Sequence, residues 1–259
     1  MPEEIEIPER FPASGDVTDK RVVITGASRG LGRLLAHAFS VAGARVTLVA
    51  RGEKALKEVA NELRGPALAV SGDVTDAGFN DAVAAATVAE WGGLDAWICN
   101  AGISPVVAGP RKIEPAVWRA VIEVNLTGAF LGARAAAGVM GEGGRLIFTG
   151  SVLGERPRAG LSAYSASKAG LVGLAKALAL DLAASGITVN VVAPGWFDSP
   201  LAEGWKSNPK LEERILEHTA QRRWGSARDL AGAYQFLASD ASAFVTGTVL
   251  NVDGGYLLV

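Results

Sequence analysis

The stretch from Arg21 to Gly32 reads RVVITGASRGLG, and it decides the fold prediction. Its first part, Arg21–Thr25, is a short apolar run of the kind that forms a strand covered on both faces. The residues that follow, Leu31–Ala42, have the pattern of a helix. A strand, a glycine-rich turn and a helix in this order predict the first unit of a parallel α/β sheet.

The same alternation of apolar runs and helix-like stretches continues along the chain. It implies parallel strands joined by right-handed crossovers. We therefore expect an α/β fold with a Rossmann-like, doubly wound, seven-stranded parallel sheet and helices on both faces. The expected strands are Arg21–Thr25, Arg45–Val49, Ala67–Val70, Ala96–Cys99, Arg145–Thr149, Thr188–Val192 and Thr248–Val252. The expected helices are Leu31–Ala42, Glu53–Leu63, Phe79–Glu90, Val117–Met140, Ala163–Ala184 and Ala227–Leu237.

Length and composition favour one domain. The 259 residues are 49% hydrophobic and 20% charged, and α/β chains of this length often share one core. We expect residues 18–259 to form that domain. Residues 1–17 contain Glu3, Glu4, Glu6 and Glu9, and we expect them to form an acidic arm, either a surface strap or a disordered segment.

Charge and cysteine content exclude several classes of protein. The net charge of −2 gives no reason to expect binding to nucleic acid or to an anionic membrane. No apolar run reaches the roughly 18 residues that indicate a membrane span, and the acidic amino end does not resemble a secretory signal. The single cysteine, Cys99, fits a reducing compartment. We therefore expect a cytoplasmic protein.

The turn after the first strand contains Gly26, Gly30 and Gly32. Glycines allow a tight turn and let backbone N–H groups approach a phosphate, while the amino end of the helix adds a partial positive charge. In this context the turn predicts a dinucleotide pyrophosphate site. The alternative is a tight turn that holds no ligand.

The end of the second strand selects between NAD and NADP, because an acid there binds the ribose 2′-hydroxyl and repels a 2′-phosphate. Val46–Val49 leads to Arg51 without an acid. Arg51, together with Arg29 of the glycine turn, can pair with a 2′-phosphate, so we expect NADP(H) to be preferred over NAD(H). Glu53 weakens this expectation, and both arginines could instead be solvated.

Two other strand ends complete the expected cofactor site. Asp73, after the third strand, can accept a hydrogen bond from the adenine amino group, or it can serve as a turn or helix cap. Asn100, Ala101 and Gly102 follow the fourth strand. They lie at the carboxyl edge, where open α/β sheets bind ligands.

Tyr164 and Lys168 are four residues apart on an expected helix and share one face. A nearby ammonium lowers the pKa of a phenol, as does an oxidised nicotinamide. Tyr164 can then exchange a proton with an alcohol or carbonyl oxygen, and Ser151 can donate to the same oxygen. Asn125 could hold a water that links Lys168 to solvent. The alternatives are a chance Tyr–Lys spacing, a capping serine and a polar core residue.

Together these residues resemble the compact, single-domain branch of the short-chain dehydrogenase/reductase family, over about residues 18–259. The motifs that carry the resemblance are Thr25-Gly26-x-x-x-Gly30-x-Gly32, Asn100-Ala101-Gly102, Asn125, Ser151, Tyr164-x-x-x-Lys168, Pro194-Gly195 and Val252-Asp253-Gly254-Gly255. Two departures are Cys99, where many members have Asn, and the acidic arm.

The resemblance implies a catalytic tetrad and a set of cofactor-binding residues. The tetrad is Asn125, Ser151, Tyr164 and Lys168, with the lysine also bonding the nicotinamide ribose. Residues after Pro194 and Gly195 are expected to cover the nicotinamide, with Ser199 where the family often has Thr. The expected cofactor-binding residues are Gly26, Ser28, Arg29, Gly30, Leu31, Gly32, Arg51, Asp73, Val74, Asn100, Ala101, Gly102, Tyr164, Lys168, Pro194, Gly195 and Ser199.

The substrate is less clearly indicated than the cofactor. The segment from about Trp196 to Trp224 is an expected lid, whose aromatic residues could bury an apolar or cyclic substrate or could pack against the body. Arg156 and Arg158 could recognise a carboxylate or phosphate, or could be solvated. The region from Arg222 onward is similar to sugar-acid and general ketone reductases of the family.

Bacterial 3-oxoacyl-(acyl carrier protein) reductases are similar to this chain from Gly186 to Gly195. Those reductases typically dock their acidic carrier with basic residues. The resemblance implies that the corresponding positions in this chain are Glu142 and Ser185. The acid and the neutral residue found here argue against docking of that carrier.

The sequence thus predicts an NADP(H)-dependent oxidoreductase acting on a small ketone or alcohol, with Tyr164 as general acid/base. The alternatives are a 3-oxoacyl reductase and a nucleotide-sensing protein without catalysis, which the intact tetrad opposes. No metal is expected, because His37 and His218 are isolated. Apolar residues nearly all round two expected helices, Val117–Met140 and Ala163–Ala184, predict a homotetramer.

Overall fold

Seven parallel strands form one sheet in the order β3-β2-β1-β4-β5-β6-β7 in the computed structural model, which describes residues 15–199 and 201–259. The expected sheet is confirmed. Of the acidic arm expected at residues 1–17, all but residues 15–17 lie outside the described residues. The strands are β1 (Arg21–Thr25), β2 (Arg45–Ala50), β3 (Ala67–Ser71), β4 (Ala96–Cys99), β5 (Arg145–Thr149), β6 (Thr188–Pro194) and β7 (Val249–Val252).

The central strands are largely apolar because both of their faces are covered. All seven residues of β6 and all five of β5 are buried. Successive side chains of a strand point to opposite faces. In β1, Val22 and Ile24 belong to one hydrophobic cluster, whereas Val23 belongs to the other.

The helices cover both faces of this sheet, as the sequence predicts. Leu35 of α1 and Leu230 of α9 pack in the cluster on one face, and Val83 of α3 and Leu171 of α6 pack in the cluster on the other. The helices are α1 (Gly30–Val41), α2 (Glu53–Glu62), α3 (Ala77–Trp91), α4 (Pro115–Ile122), α5 (Gly128–Ala137), α6 (Ser162–Leu182), α7 (Glu203–Lys206), α8 (Pro209–Glu217) and α9 (Ala227–Ala238). None of these is long and apolar enough to cross a membrane.

The helix expected at Val117–Met140 runs continuously from Pro115 to Ala137 and contains a π-helical turn that the sequence did not predict. A π-helical segment, Glu123–Thr127, separates α4 from α5. Such a segment shifts the helix register locally and often occurs at functional sites. Here it includes Asn125, which is completely buried and bonds to the backbone of another segment. The buried amide of Asn125 needs hydrogen-bond partners, and it lies at the turn where the helix register changes.

The sheet order places a crevice beside β1. Its neighbours are β2 on one side and β4 on the other, so the connections leave β1 in opposite directions. In doubly wound sheets, ligands bind at the carboxyl ends of the strands at this switch point. The expected lid lies near that edge and contains α7 and α8, two helices that the sequence did not predict.

Candidate active site

A cleft of about 820 Å³ lies at the carboxyl ends of the strands. It extends past Arg51 and Asp73 to Tyr164, Lys168 and Trp205. Every residue predicted for catalysis or cofactor binding lines this cleft, except Asn125. The sequence motifs, which are spread over about 170 positions of the chain, therefore meet at one surface.

The glycine turn leaves room for a phosphate at the amino end of α1. Gly26 has φ +70°, a conformation that L side chains rarely adopt. A Cβ on Gly32 would overlap the carbonyl oxygen of Gly26 and approach Asn100 Nδ2 to 2.7 Å. Because the turn and the first residues of α1 line the cleft, backbone N–H groups and the helix dipole are available to an anion. These residues fit a dinucleotide pyrophosphate.

The far end of the cleft carries positive charge. Arg29 and Arg51 are exposed and line it. Glu53, which weakens the case for a 2′-phosphate, forms an ion pair of 2.6 Å with Lys57 on the surface of α2. Its carboxylate is thereby partly neutralised, and the charge pattern there favours an anionic ligand.

The structure supports the interpretation of Asp73 as a turn residue, and Asp73 also lines the cleft. Its Oδ1 accepts hydrogen bonds from Thr75 N at 3.0 Å and from Thr75 Oγ1 at 2.9 Å. The cap of α3 is instead Asp76, whose side chain accepts from Phe79 N. The second carboxylate oxygen of Asp73 is not used in these two bonds, so the turn is compatible with a contact to adenine.

The ends of β1, β4 and β5 are joined by a hydrogen-bond network that sequence reasoning missed. Asn100 donates from Nδ2 to Thr25 O, and its backbone N–H donates to Thr25 Oγ1, both at 2.9 Å. Thr149 Oγ1 lies 3.3 Å from Asn100 Oδ1 and 2.8 Å from the hydroxyl of the buried Tyr234. The sequence feature that could have revealed this network is a threonine at the last position of both β1 and β5. The network fixes the edge on which the site is built.

Lys168 is 4% exposed and is held by the end of β5. Its Nζ donates a hydrogen bond of 2.6 Å to Thr149 O and lies 5.6 Å from the centre of the Tyr164 ring. Burial lowers the pKa of this ammonium group to about 8, because a charged group loses its hydration inside the protein. The lysine is therefore a cation whose charge can be lost just above neutral pH.

Tyr164 differs from the expectation in the direction of its pKa. Burial raises the pKa of the phenol above its ordinary value, and hydrogen bonding with Ser151 opposes this change only partly. The lowering expected from Lys168 is therefore corrected for the protein alone, because loss of hydration is the largest influence on the pKa of this phenol. A protonated phenol is the form that can donate to a carbonyl oxygen.

Ser151 has the capping role that the sequence offered as an alternative, and its hydroxyl faces Tyr164. Its Oγ accepts a hydrogen bond of 3.1 Å from Leu153 N and so caps the 3₁₀ turn Val152–Gly154. A hydroxyl that accepts one bond still has its own hydrogen to donate. The cap orients Ser151 while leaving that hydrogen available beside Tyr164.

Asn125 is beneath the cleft, and its amide is largely occupied. Its Oδ1 accepts from Ile103 N at 2.8 Å, and its Nδ2 donates to Ile103 O at 3.0 Å and to Ser167 Oγ at 3.1 Å. Both amide hydrogens are thus used. The interpretation as a polar core residue is borne out, and a water held by this side chain is restricted to the remaining lone pair of Oδ1.

Thiol and metal chemistry find no support in the described part of the chain. Cys99 is buried, its Sγ lies 3.4 Å from Ala129 O, and burial raises the pKa of the thiol. A buried thiol of this kind is unreactive. No cluster of three or more His, Cys, Asp or Glu residues suits a metal within the described ranges.

The substrate end of the cleft is aromatic. The Trp196 ring lies 5.4 Å from the Trp205 ring and 6.0 Å from the Trp224 ring, in edge-on arrangements. These rings pack with Leu153, Leu161 and Tyr164 in a third hydrophobic cluster, which we call the tryptophan wall. Packing against the body, one of the two alternatives for the lid aromatics, is therefore observed, and Trp196 and Trp205 also line the cleft.

The two arginines before Tyr164 have different environments. Arg156 donates to the backbone oxygens of Tyr256 and Val259, so it holds the last residues of the chain, and it is not among the residues that line the cleft. The carbonyls explain why the apolar residues Tyr256–Val259 are not a free tail. Arg158 lies instead against Trp196 and Trp205, with its guanidinium carbon 5.5 Å from the centre of each ring.

Comparisons with known proteins agree with this geometry. A family model described as "Enoyl-(Acyl carrier protein) reductase" matches residues 26–257. The chain is 38% identical to cis-4-hydroxycyclohexanecarboxylate dehydrogenase of Sinomonas cyclohexanicum over 95% of this chain and 100% of that protein. It is 36% identical to the 3-oxoacyl-[acyl-carrier-protein] reductase FabG of Escherichia coli K12, over 93% and 98% of the two chains. A crystal structure of a short chain dehydrogenase from Burkholderia cenocepacia J2315 in complex with NADP superposes with a TM-score of 0.84, at 32% identity over 93% and 99% of the two chains.

Proposed function

The chain belongs to the short-chain dehydrogenase/reductase family and is an NAD(P)-dependent oxidoreductase, and on that basis we propose that it interconverts a small ketone and its alcohol with NADP(H). In the reductive direction the carbonyl carbon gains a hydride and the carbonyl oxygen gains a proton. One observation carries the proposal: Tyr164, Ser151 and Lys168 meet at one end of a cleft whose other end carries Arg51.

The nicotinamide supplies the hydride in reduction and accepts it in oxidation. Tyr164 donates the proton to the carbonyl oxygen, and its raised pKa keeps that proton in place beforehand. Ser151 donates a hydrogen bond to the same oxygen and stabilises its developing negative charge. Lys168, fixed by Thr149 O, places a positive charge near the phenol, which stabilises the phenolate left after proton transfer.

Preference for NADP(H) rests on charge at the end of β2. Arg51 and Arg29 line the cleft, and guanidinium groups bind phosphates through charge-assisted hydrogen bonds. The Burkholderia relative was crystallised with NADP, which is consistent with this preference. The residues we assign to the cofactor are those given by the sequence motifs, from Gly26 to Ser199.

Turnover of ketones by Tyr164→Phe and by the wild type tests the proposal. Loss of the general acid is expected to lower kcat by about 100-fold or more, whereas the dissociation constant of NADPH, measured by fluorescence, should stay within about twofold because the ring remains. Tyr256→Phe, a tyrosine whose backbone rather than hydroxyl is bound by Arg156, is the matched control. Retention of more than a tenth of wild-type kcat by Tyr164→Phe would contradict the assignment.

A 3-oxoacyl thioester reductase is the second candidate. The matching family model and the relation to FabG favour it, whereas exposed Glu142 and Ser185 oppose docking of an acidic carrier protein. The rates for one 3-oxoacyl group carried by acyl carrier protein and by coenzyme A separate the two. A large advantage of the carrier-bound substrate would support the second candidate. Turnover of any ketone excludes a purely nucleotide-sensing role.

A further inference from the structure

Charged side chains line only part of the cleft. Within residues 15–199 and 201–259, the charged side chains that line it are those of Arg29, Arg51, Asp73 and Lys168. The first three follow the ends of β1, β2 and β3, and we assign them to the nucleotide. Lys168 donates to Thr149 O and supports the phenol of Tyr164. This part of the chain therefore offers a substrate no further charged side chain in the cleft.

The wall of the cleft beside Tyr164 is apolar. Leu153, Leu161 and Trp196 of the tryptophan wall are buried and line the cleft, and Trp205 lines it as well. Pockets bind small molecules mainly through such apolar and aromatic side chains. The substrate atoms next to the reacting carbonyl are therefore expected to be apolar.

Apolar side chains also line the cleft where it meets solvent. Val106, Val107 and Leu201 are 38%, 57% and 53% exposed, and all three line the cleft. The valines belong to the loop after β4, and the leucine precedes α7 in the lid. We call these three residues the apolar rim. Exposed apolar side chains grouped along a cleft are typical of a ligand-binding groove, because a ligand that covers them removes apolar surface from water.

The valines of the apolar rim are held next to the tryptophan wall. The N–H of Ala108 donates to Gly160 O at 2.9 Å. A Cβ on Gly160 would approach Val107 Cγ1 to 2.8 Å, so the glycine leaves space for this valine. The next residue is Leu161 of the tryptophan wall. The apolar lining therefore continues from the wall beside Tyr164 to the exposed edge of the cleft.

We propose that the enzyme acts on uncharged, apolar ketones and alcohols, and that the apolar rim binds the part of the substrate remote from the reacting carbon. This inference rests on the proposed function and specifies its substrate class. The carbonyl lies at Tyr164 and Ser151, the adjoining atoms lie against the tryptophan wall, and the remote end covers Val106, Val107 and Leu201. An ionised remote group would lose hydration there without gaining a charged partner, which costs free energy.

A series of 4-substituted cyclohexanones tests the inference in the wild-type enzyme with NADPH. We expect kcat/KM for 4-butylcyclohexanone to be about tenfold or more above that for cyclohexanone, because the butyl carbons are partly removed from water. The isosteric 4-(2-methoxyethyl)cyclohexanone, which has an ether oxygen in place of one CH2, should fall about threefold or more below the butyl ketone. The carboxylate 3-(4-oxocyclohexyl)propanoate should fall below cyclohexanone itself.

Variants of the apolar rim then assign this preference to its residues. We expect Val107→Ser and Leu201→Ser each to lower the butyl-to-unsubstituted ratio of kcat/KM by about threefold, because each removes apolar contact with the butyl group. Val41→Ser makes the same change at an exposed valine of α1 that does not line the cleft, and it should keep the wild-type ratio.

The outcomes separate this inference from the proposed function. Reduction of ketones with a butyl-to-unsubstituted ratio near one, a preference for the carboxylate, or a ratio unchanged in both rim variants would overturn the inference and leave the proposed function intact. An altered sedimentation of Val107→Ser with an unchanged ratio would show that a second copy of the chain, and not the substrate, covers the rim. Failure to reduce any ketone with either nucleotide would overturn the proposed function itself.

A binding measurement decides the inference without turnover. Trp196 and Trp205 line the cleft, so a ligand there should change the tryptophan fluorescence of the wild-type enzyme. With NADP bound, the dissociation constant of 4-butylcyclohexanol should be about tenfold or more below that of cyclohexanol. Equal dissociation constants for the two alcohols would contradict binding at the apolar rim.

Discussion

A buried ammonium group makes Lys168 sensitive to pH. Its pKa is lowered to about 8 by burial, so the charged form dominates below that pH and is lost above it. In the proposed mechanism, reduction requires this charge together with a proton on Tyr164, whose pKa is raised. Both groups are therefore in the active form below pH 8, and the charge of Lys168 is the first to be lost as pH rises.

The pH profile of reduction should show this loss. We expect kcat/KM for a ketone, measured with saturating NADPH, to be level from about pH 6 to 7 and to decline as pH rises through the pKa of Lys168, about 8. Arg at position 168 stays charged throughout this range, so the residual activity of Lys168→Arg should lose the decline. A wild-type profile that is level up to pH 9.5 would show that the charge of Lys168 is not needed.

Selection of the nucleotide is expected to depend on Arg51. Arg51→Ala should lower the preference for NADPH over NADH by about 1–3 kcal/mol, which corresponds to roughly 5- to 150-fold in the ratio of kcat/KM values. The loss should appear with NADPH and leave NADH almost unchanged, because only the former has a 2′-phosphate. Lys54→Ala, from an exposed cation three positions later, is the matched control. Equal or better use of NADH by the wild type would remove the basis for this expectation.

At the scale of elements, the π-helical segment between α4 and α5 holds the loop after β4 in place. Asn125, at its centre, makes three hydrogen bonds, two of them to the backbone of Ile103. The partner Ser167 in turn donates to Tyr164 O at 2.7 Å. The segment thereby connects the β4 loop to the helix that carries the proposed acid.

Removal of this amide should destabilise the fold more than an ordinary polar substitution. Asn125→Ala leaves an N–H and a C=O of the half-buried Ile103 without their partners, and we expect a loss of about 2 kcal/mol or more in the free energy of unfolding, from about 1 kcal/mol or more for each group. Asn61→Ala, from an exposed asparagine of α2, should change it by less than about 0.5 kcal/mol. Denaturant titration measures the free energy of unfolding of both variants. Equal losses would show that the backbone of Ile103 finds other partners.

The sequence predicted the strands and the glycine turn because local signals determine them. Buried parallel strands are continuous apolar runs, and a turn that a Cβ would block requires glycine. The π-helical segment and the partners of Asn125 were not predictable in this way, because they depend on Ile103 and Ser167, which lie in other segments. The same holds for Thr149 and Tyr234, whose contact joins residues 85 positions apart.

The pKa of Tyr164 and the roles of Arg156 and Arg158 were also beyond the reach of sequence patterns. The i, i+4 spacing correctly placed a lysine beside a tyrosine, but the extent of burial decides the direction of the shift. Nothing in the local sequence distinguishes Arg156, which bonds to backbone oxygens, from Arg158, which lies against aromatic rings.

At the scale of the whole molecule, apolar surface remains outside the three hydrophobic clusters. Leu180 of α6 is 82% exposed and Phe130 of α5 is 41% exposed. Side chains of this kind on neighbouring helices are typical of an interface between copies. They support the predicted homotetramer, in which α5 and α6 of one subunit pair with those of another across a twofold axis.

A charge placed on this surface should prevent assembly. We expect the wild type to sediment as a tetramer at micromolar concentration and Leu180→Asp to sediment as smaller species with reduced kcat, because burial of a carboxylate without a partner is costly. Val41→Asp changes an apolar side chain that is 63% exposed on α1, and it should remain tetrameric. A stable, fully active wild-type monomer would show that these helices need no second copy.

The domain boundary near residue 18 and the cytoplasmic location also remain predictions.

The anchoring of the last residues by Arg156 has a practical consequence for handling the protein. Tyr256 contributes to the tryptophan wall, and the guanidinium of Arg156 binds the carbonyl oxygens on both sides of Leu257 and Leu258. Any peptide fused after Val259 would begin at the contact that this guanidinium makes, beside the tryptophan wall. An affinity tag at the carboxyl end is therefore expected to raise KM for the substrate, so kinetic comparisons should use a tag at the other end or one that has been cleaved off.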